Sequence, residues 1–466
     1  MQQIGKLKIN PSEFQSLQSH ASVGFECLDR ELYDPERCYD LLQQSGVKYA
    51  RVQTGWNRCE TEKGVYNFEW LDGIVDNLLQ RGIQPWFNVG FGNILYMPNS
   101  KTPSAVGQVP ICYGLEVLEV WKNYVTALAK HYAGRINYFE IWNEPDISDF
   151  WAPGSSNPEE YAQLINETGA VILKENANAK IGACMSDAFA SEFLHFKDYL
   201  FKLAKNVQQL DFFSYHRYNS RADVDLLQNV SYMRKIFAFN GLPKVEIWGG
   251  ECGYASYLPK GHIILNEKPS SEQQQAVSLL RYFVTDAAAG CRLTSFFMVV
   301  DLIQKVYQTA RQNNTDPARS GILNGLSYTP KMAYTALANI SNILNSEFTV
   351  SNRFIALCTR YTKPYVNMPQ QPFCAAFEKN GKPFYAYYYP TYIEDEGGLF
   401  KTPVAVHLQN LYPGDAMQNP VAVDSLTGKV YKPDLKTDYA GLTVLEGLPV
   451  AEYPIFIVER SELELE

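Results

Sequence analysis

Two glutamates close strand-like runs and are the residues best placed by type to do chemistry. The stretch YFEIWNEPD (138–146) begins apolar and ends on Asn143, Glu144 and Pro145. The stretch EIWGGECGY (246–254) likewise ends on Glu251. Two carboxyls facing each other across a pocket suit cleavage of a glycosidic bond. One stays protonated and donates to the leaving oxygen, while the other stays ionised and attacks the anomeric carbon or activates water. Separations of about 5 Å go with a covalent intermediate and retained configuration, and about 6.5–9.5 Å with inversion. Other polar side chains close further runs: Arg51 and Trp56 in VKYARVQTGW, Asn88 in IQPWFNVGF, and His216 and Tyr218 in LDFFSYHRY. Ser214, His216 and Tyr218 share one parity, as do Ile247, Gly249 and Glu251, so each run is expected to aim its last polar group to one side.

The elements that must position these groups alternate. VGFECLD (23–29) is a first strand, and Asp34-Pro35 opens a helix. VKYARVQTGW follows, then a helical stripe at Trp70, Ile74, Leu78 and Leu79 that stops at Gly82. After IQPWFNVGF comes the stripe Leu118, Trp121, Val125, Leu128 and Tyr132, then YFEIW. Asn157-Pro158 starts the next helix, followed by AKIGACMSDAF, a helix over 192–206, LDFFSYHRY, a helix over 223–239, and KVEIWGGE. Ser271 and Gln274 form a capping box for a helix ending near Gly290. LTSFFMVVD is the eighth strand and Thr329-Pro330 opens the last helix. Eight strand–helix units predict an α/β fold, a closed (β/α)8 TIM barrel, over residues 14–347. A doubly wound open sheet is the alternative, but Gly90-Phe91-Gly92 lacks the third glycine of its phosphate-binding turn.

Beyond about residue 348 the rhythm changes to short strands. Lys379-Asn380-Gly381-Lys382 is a two-residue hairpin signal, and PVAVHL, DSLTGKVY and YPIFIVE continue the β pattern. A C-terminal all-β sandwich is expected from residues 348–466, joined by residues 1–13 through IGKLKIN.

Composition narrows the function. A net charge of −9 with no basic block argues against nucleic acid and acidic membrane as partners. No apolar run approaches about 18 residues, so no span is expected. Nine scattered cysteines without CxxC pairs fit reduced thiols and a cytoplasmic location, or secretion where a leader has been removed. An aromatic fraction of 14% suits flat, CH-rich ligands such as sugars, or simply a large core. No metal-ligand spacing such as HExxH is present, and neither a metal nor a cofactor is expected. A homo-oligomer is left open.

The motifs, taken together, resemble the clan of retaining glycosidases on (β/α)8 barrels, with the acid/base at the end of strand 4 and the nucleophile at the end of strand 7. Asn143-Glu144-Pro145 matches its Asn-Glu-Pro, which implies Glu144 as acid/base and Asn143 as the partner of the 2-hydroxyl. Glu251 matches the nucleophile, and Arg51 the arginine that keeps it ionised. SYHRY (214–218) resembles the Ser-x-His-x-Tyr strand of glycoside hydrolase family 39. GWNRCETEKGVYNFEWLD (55–72), TPKMAYTAL (329–337), DSLTGKVY and YPIFIVE resemble other segments of that family. The resemblance implies a retaining β-glycosidase without cofactor, exo-acting on short oligosaccharides, with β-xylosides first and β-glucosides or β-galactosides next. An endo-acting glycanase and a catalytically retired sugar-binding barrel are the alternatives. The chain departs from the clan in carrying Phe296, Phe297 and Met298 where a tryptophan often floors the sugar, and in Gly249-Gly250 before Glu251.

Several residues have plainer readings. Glu140 reads as an interior acid paired within the barrel, and Glu246 has the wrong parity for a nucleophile. Glu26 is balanced between a sugar contact and a structural role. Trp56, Trp151 and Phe297 are candidate sugar contacts; Trp86 is assigned to the wall. The cysteines read as small buried hydrophobes.

Overall fold

The structure, a computed structural model, describes residues 2–9, 19–100, 102, 104–186, 193–218, 223, 225–257, 270–303, 319–359, 372–390, 400–409 and 416–466. Strand β1 is Gln2–Lys6. Eight parallel strands then close a barrel: β2 (Ala21–Gly24), β3 (Tyr49–Gln53), β4 (Gln84–Val89), β5 (Tyr138–Ile141), β6 (Lys180–Met185), β7 (Phe212–Arg217), β8 (Glu246–Cys252) and β9 (Thr294–Phe296). Closure is through β2 and β9, with Ala21 opposite Thr294 and Val23 opposite Phe296. The (β/α)8 barrel expected from the alternation is the observed fold.

The helices are α1 (Tyr39–Ser45), α2 (Trp56–Cys59), α3 (Glu69–Gln80), α4 (Leu115–His131), α5 (Pro158–Glu175), α6 (Phe193–Asn206), α7 (Leu226–Phe239), α8 (Glu272–Ala288) and α9 (Met332–Ile343), and α3 to α8 lie where the periodicity puts them. Asp34-Pro35 instead opens a 3-10 turn over Pro35–Arg37 ahead of α1, α9 starts behind Lys331 rather than at Thr329-Pro330, and α2 begins at Trp56, the end of a run expected to be a strand. Asn157 caps α5 by accepting from the amides of Glu159 and Glu160 at 3.0 and 3.2 Å. Ser271 caps α8 through the Gln274 amide. These side chains satisfy amides that have no partner inside the helix.

Two strand expectations need correction. The first strand stops at Gly24 rather than Asp29, because Cys27 takes a left-handed backbone (φ 68°) and a 3-10 turn over Leu28–Arg30 follows. The eighth is only Thr294–Phe296; the β8–β9 register shifts between Gly249 and Cys252, which breaks the ladder beside it.

Inside the barrel, inward side chains stack in layers. Trp86, Phe212, Trp248 and Leu293 pack at the amino-terminal end, with Phe212 stacked on Trp248 at 4.1 Å. Next along the strands comes a polar layer of Arg51, Asn88, Glu140 and Ser214, joined by hydrogen bonds and fully buried. A dry aromatic plug below and a polar layer above leave the carboxyl ends as the place for chemistry.

The remaining strands form two antiparallel sheets. One holds β1, β10 (Thr349–Val350), β12 (Phe373–Lys379), β13 (Lys382–Tyr388), β15 (Pro420–Asp424), β16 (Lys429–Lys432) and β19 (Ile455–Glu459); the other holds β11 (Ile355–Thr359), β14 (Phe400–Leu408), β17 (Asp434–Thr437) and β18 (Thr443–Val450). The β12–β13 turn uses Asn380 and Gly381 with φ of 52° and 74°, the pairing that a two-residue hairpin requires. The first sheet is tied to the barrel by Arg281 of α8, which donates to the Glu452 carbonyl at 2.5 Å, and by Asn339 of α9, which donates to the Ser425 carbonyl at 3.0 Å. Among the described residues, no helix is long and apolar enough to cross a membrane.

Candidate active site

Glu144 and Glu251 meet at the carboxyl ends of β5 and β8. A carboxylate oxygen of each, together with a ring nitrogen of His216, lies in a group whose atoms are all within 4.8 Å of one another. Both acids keep a little exposure, with 13% of the Glu144 side chain and 11% of the Glu251 side chain open, while His216 is fully buried.

Glu144 is delivered by a break in its strand. After Ile141 the chain leaves the extended conformation: Trp142 has φ 69° and Glu144 φ 44°, both in the left-handed region that non-glycine residues disfavour. Such backbone persists only where surroundings over-determine it. Here the Trp142 carbonyl accepts from Asn88 Nδ2 at 2.6 Å and the Trp142 indole donates to the Phe150 carbonyl at 2.6 Å. The Glu144 carboxylate lies 2.8 Å from His216 Nδ1. Burial lowers the His216 pKa from its ordinary value, so the ring stays neutral. Asp146, two residues on, accepts from the Ser186 amide at 2.8 Å, and burial raises its pKa.

Glu251 is delivered by a β-bulge, and the simple parity argument for it fails. Tyr215 of β7 sits opposite Gly249, but the next residue, His216, sits opposite Glu251. Gly250 is the extra residue. A Cβ at Gly249 would run into the Asp286 carboxylate on α8, and one at Gly250 would meet Ser214 Oγ at 2.5 Å inside the barrel. Gly249 therefore faces the helices and Gly250 the interior, and the bulge returns Glu251 to the interior side. The two glycines that looked like a departure from the clan are what the bulge needs: neither backbone has room for a side chain.

Arg51 organises the charges. Its guanidinium donates to Glu251 Oε2 at 2.7 Å, Glu140 Oε1 at 2.5 Å, Glu26 Oε1 at 3.1 Å and Asn143 Oδ1 at 2.8 Å. Tyr218 donates its hydroxyl to the other Glu251 oxygen. One buried cation cannot neutralise three carboxylates. Glu26 responds: its pKa is pushed up to about 8, first by burial, with Arg51 opposing and Glu251 adding to the rise. It reads geometrically as an ion-pair partner of Arg51, yet burial outweighs that attraction and favours the neutral acid near pH 7. The role of Glu26, balanced in the sequence, resolves as an interior group without exposure.

Six other sequence candidates divide. Asn143, His216 and Tyr218 converge with the glutamates, and Phe297 stands edge-on to Tyr218 at 6.3 Å. Trp56 and Trp151 do not join them. Trp56 is fully buried, stacks on Tyr96 and Tyr124, and donates to Glu60 at 2.6 Å. Trp151 is fully buried against Trp142 and Tyr161, with its indole on Glu160 at 3.2 Å. Both are wall residues rather than sugar platforms. Sequence position gives the loop but not the direction of the ring.

As a metal centre the cluster is poor. Among the described residues, Glu144, His216 and Glu251 offer three donors, and so do Glu140, Cys184 and His216. Arg51 already carries its positive charge onto Glu140 and Glu251, and burial pushes the Cys184 thiol well above its ordinary pKa. Both oppose a cation.

A closed (β/α)8 barrel with glutamates on its fourth and seventh strands, an arginine between them and a tyrosine on the second acid defines the class of barrel to compare. Residues 33–239 match the family model described as glycosyl hydrolases family 39, in line with the resemblance read from the motifs. It is 28% identical over 180 residues to a β-xylosidase of Geobacillus stearothermophilus, covering 34% of this chain and 32% of that protein. It is 29% identical over 203 residues to a β-xylosidase of Caldicellulosiruptor saccharolyticus, covering 39% and 38%. The match thus spans about a third of the curated relatives' length. A solved family 39 glycoside hydrolase from Bacteroides cellulosilyticus superposes with a TM-score of 0.66 at 17% identity, over 96% of this chain and 82% of that one. A family 30 endoxylanase from Clostridium papyrosolvens gives 0.56 at 11% identity, over 97% of each. These two likenesses concern the fold.

Proposed function

We propose that the chain is a retaining β-glycosidase, exo-acting on short oligosaccharides, with β-xylosides the first substrates to test and β-glucosides or β-galactosides next. The carrying observation is that an oxygen of Glu144 and an oxygen of Glu251 lie within 4.8 Å, which favours the short spacing of a covalent mechanism over the wider spacing of inversion. The two β-xylosidase relatives favour the sugar.

In the first step Glu251 attacks the anomeric carbon while Glu144 gives its proton to the leaving oxygen. The C–O bond to the leaving group breaks as the ester to Glu251 forms. Both Glu251 oxygens accept hydrogen bonds, from Arg51 and Tyr218, an arrangement that suits a carboxylate nucleophile. Glu144 leans on a neutral His216, so this contact does not force it to ionise. Asn143 spends its amide oxygen on Arg51, which leaves its nitrogen for a sugar hydroxyl. In the second step Glu144 takes a proton from water, the water attacks the anomeric carbon, and Glu251 departs. The sugar leaves with its configuration retained.

A panel of nitrophenyl β-glycosides tests the proposal. Release from one β-sugar supports the exo enzyme. Activity only on longer glycans moves the reading to an endo-acting hydrolase, and silence on both to a sugar-binding barrel.

A further inference from the structure

The strand that carries Glu144 loses its ladder one residue too early. The β5–β6 pairing ends at Glu140 opposite Gly182. Beyond it, two side chains bridge the gap. Tyr161 of α5 donates its hydroxyl to the Ile141 carbonyl at 2.7 Å and accepts the Cys184 amide at 2.9 Å. Cys184 Sγ then takes the next two backbone groups. It donates to the Trp142 carbonyl at 3.4 Å and accepts the Glu144 amide at 3.3 Å. The groups it joins flank Asn143, on the two residues with left-handed backbone.

From this geometry we infer that Cys184 is a positioning residue for Glu144, with its thiol clamping the left-handed turn that aims the carboxylate at the leaving oxygen. The thiol has one hydrogen to give and lone pairs to receive, and both uses are filled. It is fully buried, and burial keeps it protonated, so the S–H needed by the Trp142 carbonyl is present across the working pH range. Alanine would leave the Glu144 amide and the Trp142 carbonyl without this bridge while barely altering the bulk of the core. The carbonyl keeps Asn88 and the residue keeps its ring contacts, so the fold survives; the aim of Glu144 does not. A buried cysteine of this kind is ordinarily a small hydrophobe. Here its polar contacts, rather than its volume, carry the role.

The inference rests on Glu144 being the acid, and the experiment separates the two. Kcat/KM is measured for phenyl and dinitrophenyl glycosides of the sugar chosen by the panel. The phenyl leaving group needs a proton from Glu144; the dinitrophenyl one does not. Cys184→Ala is expected to lose about 10- to 100-fold on the phenyl glycoside, as a misaimed acid does, and little on the dinitrophenyl glycoside. Cys184→Ser, which keeps a donor and an acceptor, is expected to recover most of the loss; Cys184→Val, which has neither, takes the place of the alanine variant should that not fold. Equal losses on both substrates, or no loss on either, overturn the inference and leave the acid in place. If instead Glu144→Ala itself loses equally on both substrates, Glu144 is not the acid and the inference falls with that reading.

Discussion

Gly250→Ala tests whether the bulge, rather than strand alternation, places the nucleophile. A Cβ there would lie 2.5 Å from Ser214 Oγ and 3.6 Å from Glu140 Oε2. Ordinary contact to a Cβ lies at 3.4–4 Å, so β7 and β8 must separate by about 1 Å or the bulge must shift. Ser214 is not a flexible tip: its hydroxyl is held on Glu140, which is held by Arg51. Overpacking of this kind costs about 1–3 kcal/mol in stability. A displacement of about 1 Å at Glu251 costs about 100-fold in the chemical step, because attack requires near-contact alignment. Denaturant unfolding reads the first quantity and kcat on an aryl glycoside the second. A variant with unchanged kcat and unchanged stability would refute the bulge as the device that aims Glu251.

Other consequences follow from the same contacts. Tyr218→Phe removes a hydrogen bond to Glu251 and should lower kcat about 10- to 100-fold with little change in unfolding midpoint. The Glu26 pKa rises from 4.5 to about 8 on folding, so the folded chain holds a proton that the unfolded chain has lost between those values. That contribution is fully present below about pH 4.5 and disappears as pH rises through about 8, and unfolding measured across this range should show a decline that flattens in Glu26→Gln. Trp151→Phe should cost about 1–2 kcal/mol through loss of the buried indole contact to Glu160, with KM unchanged; a large rise in KM would restore it to the sugar site.

Much of this was legible in the residue order, and the failures share a cause. The alternation of strand and helix, the caps at Asn157 and Ser271 and the Asn380-Gly381 hairpin are local, and each appears where its chemistry requires. Glu144 and Glu251 were legible as strand ends. The way Glu251 reaches the mouth was not, since a bulge is set by the neighbouring strand and the helix behind it. Trp56 and Trp151 follow active-site strands in sequence but turn into the wall, a direction that packing against Tyr124 and Tyr161 decides. Cys184 carries no spacing signal; its importance lies in two hydrogen bonds to a strand distant in the chain.

The central claim is that Glu251 forms a bond to the sugar while Glu144 serves as acid and then base. An activated deoxyfluoro β-glycoside slows breakdown of the glycosyl-enzyme so that it accumulates. Mass spectrometry of the digested protein should then show one added sugar, on the peptide carrying Glu251 and on that residue. A label on another residue would contradict the assignment, and an enzyme that turns the natural glycoside over without ever accumulating a label, releasing a product of inverted configuration, would contradict the mechanism.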